Sequence, residues 1–157
     1  MNYTKDIIET WDINHKVTLY LLEHIAPEWL SAQLGEKGRS IGEQFVHINN
    51  IRSMWINKVG KKVDVKINKK EANNKLGLKT ALLFSAEHML LTLEQVFQEN
   101  TIKGYKPHPS AFLGQMIAHE AHHRGQIMTA ITRNNLPISK SVNYGLWGWS
   151  SRLKDEV

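Results

Sequence analysis

Apolar residues recur at helical spacing in four long stretches of the chain. The first runs from about Thr4 to Ile25, where Ile7, Ile8, Trp11, His15, Thr18 and Leu22 make one face, and Pro27 stops it. Residues 26–37 read as a linker, with Gly35 and Gly38 as turn residues. The second helix opens on Ser40 and Glu43, the spacing of a capping box in which hydroxyl and carboxylate satisfy free backbone N–H groups reciprocally. Ile41, Phe45, Ile48, Ile51, Arg52 and Trp55 follow at helical spacing, and Gly60 is expected to end it. A lysine-rich segment comes next, in which the alternation Val63-Asp64-Val65-Lys66-Ile67 reads as a small strand or an extended loop. The third helix spans about Lys75 to Gln98, apolar at Leu82, Leu83, Ala86, Met89, Leu90, Leu93 and Phe97. Pro107 and Pro109 enforce extended backbone before the fourth, which Ser110 is expected to cap and which Asn134, Asn135 and Pro137 terminate. The tail from Ser139 onward shows no helical period.

Four amphipathic helices with weak strand signals predict an all-α chain, a four-helix bundle with long connections. The connections are long enough for crossovers, so simple up-and-down order is not required. At 157 residues, 41% of them hydrophobic, the chain is read as a single helical-bundle domain, residues 1–157, with an ordinary buried core. It contains no cysteine, which removes disulfides, thiolate ligands and any thiol nucleophile of its own. Lys5, Asp6, Glu9, Asp12 and Lys16 interrupt the early apolar runs, so neither a signal peptide nor a membrane span is expected, and the location read from this is cytoplasmic. The net charge of +5 raises the question of nucleic acid. Its densest cluster, Lys58, Lys61, Lys62, Lys66, Lys69 and Lys70, falls in a connecting segment without interleaved aromatics or a recognisable motif. A solvated loop is the reading, and no nucleic-acid partner is expected.

The chemistry concentrates in the fourth helix. His119 and His123 are four residues apart, about 400° of helical rotation, so their rings lie on nearly one face one turn apart. Phe112, Met116, Ile127 and Ala130 point the same general way, which turns the pair inward or onto the edge of the apolar stripe. Two such imidazoles reach one metal ion, or form an ordinary hydrogen-bonded pair; spacing leaves both open. The run His119-Glu120-Ala121-His122-His123 also satisfies the H-E-x-x-H pattern of zinc metalloproteases. That reading fails for want of a third ligand: Gln126 stands where the extended motif needs glycine, and the one later glutamate is Glu156 in the tail. A dinuclear carboxylate site fails as well, because Glu120-x-x-His123 has no second copy. His122 is a competing ligand, expected at the surface or a pocket rim. His15, in line with Trp11 and Leu22, is expected as a core histidine, and Trp55, Trp147 and Trp149 as packing residues.

The segment Ile117-Ala118-His119-Glu120-Ala121-His122-His123-Arg124-Gly125-Gln126-Ile127 resembles the final-helix motif of the DinB/YfiT-like metalloenzymes. Residues 40–48 with Trp55 resemble the helix that supplies that family's first histidine ligand, and Tyr144-Gly145 with Trp147 and Trp149 resembles its aromatic ending. The resemblance runs in order over essentially the whole chain. It implies His47, His119 and His123 as ligands of one divalent metal ion (nickel, zinc or iron), a four-helix bundle, and a homodimer.

Three neutral protein ligands leave a divalent ion with an open position, the mark of a catalytic site and not of a closed structural one. The resemblance implies an enzyme acting on a small-molecule substrate, in the manner of thiol-dependent transferases and isomerases that use an external low-molecular-weight thiol. The alternatives are a metal-dependent hydrolase and a non-enzymatic, stress-associated metal- or ligand-binding protein. Glu120 points about 80° from the mean histidine direction and is not assigned as a general base, so no catalytic residue is named.

Overall fold

The computed structural model describes residues 3–59 and 62–153. Four long helices carry it: α1 (Tyr3–Glu23), α2 (Ile41–Val59), α3 (Lys75–Glu99) and α4 (Pro109–Arg133), followed by two short ones, α5 (Lys140–Gly145) and α6 (Trp149–Arg152). The capping box forms as read: the Ser40 backbone N–H donates to Glu43 Oε2 at 3.0 Å and the Glu43 N–H to Ser40 Oγ at 3.2 Å. The preceding linker supplies two more partners, as the N–H groups of Ile41 and Gly42 donate to the carbonyls of Ala32 and Leu30. Gly60, expected to end this helix, lies outside the described residues, as do Lys61 and residues 154–157.

Two boundaries differ from the sequence reading. α4 is capped by His108, whose Nδ1 accepts from the Ala111 N–H at 3.2 Å, and not by Ser110. Pro109 explains the shift, since its fixed φ and missing N–H suit the first helical position. The tail, read as aperiodic, forms α5 and α6, too short for a period to register. Ser139 caps α5, and the Arg152 guanidinium lies 3.9 Å from the centre of the Tyr20 ring, folding the tail against α1. Trp55 packs in the core as expected, whereas Trp147 is 82% exposed.

Among the described residues no strand forms. The stretch Val63–Ile67 is extended backbone, and side chains of α2 stand in for a partner strand. Asn57 Nδ2 donates to the Val63 carbonyl, Asn49 Nδ2 to that of Val65, and Asn50 exchanges two hydrogen bonds with the backbone of Ile67. This ladder lays the segment back along α2 toward the start of α3.

The buried side chains explain why it must return. On each long helix, two apolar groups are separated by buried polar residues. One cluster takes Leu22 from the end of α1 and Ile25 just beyond it, Ile41 and Phe45 from the start of α2, Leu78 and Leu82 from the start of α3, and Ile127 and Ile131 from the end of α4. The other takes Trp11, Trp55, Met89, Val96, Phe112 and Met116 from the opposite ends. α2 and α3 are therefore parallel, α1 and α4 run the other way, and the order is up-down-down-up with one crossover. α3 is long and apolar enough, by length and composition, to cross a membrane, but Leu78, Leu82, Met89, Leu93 and Val96 spend its apolar stripe on the core.

Between the clusters lies a polar belt centred on Arg52 and Glu120, both fully buried. Arg52 grips the carboxylate with two bonds, Nε to Oε1 at 2.7 Å and a terminal nitrogen to Oε2 at 2.8 Å. Its other terminal nitrogen donates to the Leu82 carbonyl at 3.0 Å, to Ser85 Oγ and to His15 Nδ1. Glu120 also accepts from Asn14 and Thr18, each at 3.0 Å, and Arg124 donates to those same two residues. All four long helices meet here. Burial acts to raise the Glu120 pKa, but the charges of Arg52 and Arg124 and the hydrogen bonds from Arg52 and Thr18 hold it below the ordinary value.

Two outcomes are expected. Glu120→Gln leaves two buried guanidinium groups without a counter-charge and should cost roughly 3–5 kcal/mol in urea denaturation, with the Arg52→Met, Glu120→Leu pair costing less than the sum of its single changes. Gly42→Ala should cost roughly 1–3 kcal/mol, because a Cβ there would overlap the Ala72 carbonyl.

Candidate metal centre

His47 lies on α2 five residues before Arg52, and His119 and His123 flank Glu120 on α4, so the ion pair that docks the two helices also brings the three rings together. His119 Nε2 is 3.3 Å from His47 Nε2 and 3.1 Å from His123 Nε2. One ligand atom from each residue lies within 4.8 Å of the other two. His123 is buried, and His47 and His119 are half-buried.

A hydrogen-bonded histidine cluster explains this arrangement poorly. An imidazole nitrogen carries either one hydrogen or one lone pair, so His119 Nε2 cannot make a full bond to two other nitrogens. Three lone pairs directed at one cation remove the conflict. Nitrogens about 2.0–2.1 Å from a tetrahedral ion stand about 3.3 Å apart, close to both observed separations. The residues present thus fit one divalent ion.

The surroundings prepare His123 for that role. Its Nδ1–H donates to Gln44 Oε1 at 2.7 Å and lies 3.1 Å from Gln126 Oε1, which leaves the Nε2 lone pair facing the other two rings. Gln126 is three residues after His123 on α4, so helical spacing places its amide beside the ring it supports, whereas Gln44, on α2, reaches His123 across the contact between the two helices. Burial, reinforced by the positive charge of Arg39 and by His119, lowers the His47 pKa to about 4. Burial and the neighbouring His119, His47 and His122 bring His123 to about 4 as well, against a hydrogen bond with Gln126 that raises it. His119 is lowered by burial, which outweighs the opposing charge of Glu120. All three rings are neutral at pH 7, the state in which imidazole binds a metal.

The remaining histidines have other partners. His15 is in the core, as expected, at 3.3 Å from Arg52. His24 and His88 place Nδ1 on the carbonyls of Tyr20 and Phe84, and His108 caps α4. His122 is exposed and accepts from the Gln126 side-chain amide at 3.0 Å, which holds it outside the cluster. Glu120, left without a role by the sequence reading, is the anchor of the site and no part of its donor set. Its signal was a charged residue, Arg52, on the apolar face of the second helix, which a buried counter-ion has to answer.

A pH dependence follows for the metal-free protein. Unfolded histidines take up protons near pH 6.5, whereas His47 and His123 do so in the folded chain only near 4. Stability from this source is complete above pH 6.5 and is lost as pH falls toward 4. The melting temperature of chelator-treated protein should therefore decline already between pH 6.5 and 5, and His47→Gln should flatten that decline; an unchanged slope would contradict the assignment.

The model of the DinB family matches residues 1–133, which include α1 to α4 and all three clustered histidines. No curated protein matches the chain, and no solved structure does. A match over this share of the 157 residues, together with an all-helical bundle bearing a three-histidine group, places the chain in the DinB family.

Proposed function

We propose that His47, His119 and His123 bind one divalent metal ion and that the chain is a metal-dependent enzyme acting on a small molecule, with thiol-dependent group transfer favoured over hydrolysis. The observation that carries this reading is the convergence of three neutral imidazoles without a carboxylate or a fourth protein donor in the group. Such a set fits nickel, zinc or iron. A divalent ion held by three neutral ligands keeps an open coordination position and supplies Lewis acidity there.

The chain's own residues bind, orient and shield. Gln44 and Gln126 hold His123 in one tautomer, and the Arg52–Glu120 pair fixes α2 against α4. Glu120 is enclosed by guanidinium groups, the Thr18 hydroxyl and the Asn14 amide, so it is not free to move a proton at the open position. A thiol or a water at the open position would bring its own acidic proton. The chain has no cysteine, so a thiol serving there would be external; this fits the transferase reading and does not require it.

Metal analysis and titration calorimetry test the site. Wild-type protein should take up one equivalent of zinc or nickel. His47→Ala should abolish tight binding, and Gln44→Ala should weaken it roughly 10–100-fold by freeing the His123 ring. Undiminished metal in His47→Ala would overturn the ligand assignment. Incubation of the loaded protein with a panel of low-molecular-weight thiols and electrophiles tests the reaction class: thiol consumption above that of the apo protein is expected. Ester or amide hydrolysis without a thiol would favour the hydrolase, and no turnover of either kind would favour a binding protein.

A further inference from the structure

The polar belt holds more positive than negative charge. Arg52 and Arg124 are both buried, and among the described residues Glu120 is the carboxylate that the two share. Arg52 takes both of its oxygens, at 2.7 and 2.8 Å, whereas Arg124 stands 3.8 Å away. The Arg124 guanidinium donates instead to two neutral groups, Thr18 Oγ1 at 2.7 Å and Asn14 Oδ1 at 3.0 Å. Those bonds use two of the five N–H groups a guanidinium has. His15, also in the belt, adds no negative charge. One positive charge is left over, and a buried charge is costly until a counter-charge meets it.

Arg124 also forms part of a wall. A cavity of about 290 Å³ lies between α4 and the tail helices, with Ile117 and Met128 on one side and Trp147 and Trp149 on the other. Arg124 is the one charged residue lining it. The small residues Ala121 and Gly125 keep the α4 side low, and a Cβ added at Gly125 would meet no neighbouring atom within 4 Å. Ligand pockets start at about 300 Å³ and are mostly apolar with a few placed polar groups, which is the make-up seen here. Trp147 is largely exposed, so packing does not account for its place at the rim. Ile117, Ala121, Arg124 and Met128 form one stripe of α4. At 100° per residue that stripe lies about 150° round the helix from the midpoint of His119 and His123. The cavity is therefore separate from the histidine cluster and does not depend on a metal there.

We propose that this cavity binds a small aromatic carboxylate: the ring lies between the tail tryptophans and α4, and the carboxylate takes N–H groups of Arg124 that the belt leaves over. A guanidinium presents planar donors matched to a carboxylate, and the anion supplies the counter-charge that Glu120 gives to Arg52. The tryptophans offer large flat faces for the ring.

The test titrates the full chain by calorimetry with 2-naphthoate and with 2-naphthamide, a neutral molecule of nearly the same shape. Wild-type protein should bind the carboxylate at least about tenfold more tightly than the amide. His47→Ala, measured beside it, should bind both as the wild type does; a loss there would put the ligand on the histidine cluster and overturn the proposal. Gly125→Leu fills the cavity from its open side and should weaken both ligands at least about tenfold. Trp147→Ala, at an exposed position, should weaken both roughly threefold to tenfold. Arg124→Gln should reduce the preference for the carboxylate to about twofold, with the melting temperature recorded alongside. Should that variant fail to fold, the carboxylate-to-amide ratio of the wild type and the effect of Gly125→Leu decide the matter. Equal affinities for the two molecules in the wild type, or binding that survives Gly125→Leu unchanged, would overturn the proposal.

Discussion

The bidentate grip of Arg52 on Glu120 is the interaction on which the rest of the structure depends. Two charges buried in a helical bundle are costly unless each hydrogen-bonding position is satisfied. Here Asn14 and Thr18 from α1 and the Leu82 carbonyl and Ser85 from α3 complete the set. The pair gives the bundle a register. A slip of α4 by one residue would shift Glu120 by about 1.5 Å along the axis and turn it by about 100°, leaving both charges unpaired. Apolar packing alone does not impose so sharp a penalty, since cores tolerate rearrangement when volume is kept.

The histidine cluster inherits its geometry from this register. His119 and His123 are one residue before and three after Glu120, and His47 is five before Arg52. Fixing one pair of side chains across α2 and α4 therefore brings imidazole nitrogens from both helices to 3.1–3.3 Å. Electrostatics follow from the same pairing. Because Glu120 is held inside the bundle by Arg52 and Arg124, it is no member of the donor group, which consists of three neutral imidazoles. An ion held by that group would have three neutral protein ligands.

The four helices were legible because long amphipathic stretches carry their own signal, and the capping box at Ser40 and Glu43 marked one boundary to the residue. The i,i+4 histidine pair was legible as a pair; its partner His47 was not, since nothing local links positions separated by 72 residues, and it entered through family resemblance. The Arg52–Glu120 pair, 68 residues apart, is hidden for the same reason, although a charged residue on an apolar helix face announced that some partner was needed. The tail helices of six and four residues are set by contacts with α1 and not by periodicity. The extended stretch after α2 showed alternation without a sheet, because its partners are asparagine side chains of a helix.

The account's central claim is an open three-imidazole centre built across α2 and α4. Extended X-ray absorption fine structure at the zinc edge of the zinc-loaded protein tests it most directly. Three imidazole nitrogens at about 2.0–2.1 Å are expected, with their outer-ring scattering, and one or two further light atoms not supplied by the chain. A shell with two imidazoles, or one completed by a protein carboxylate, would contradict it.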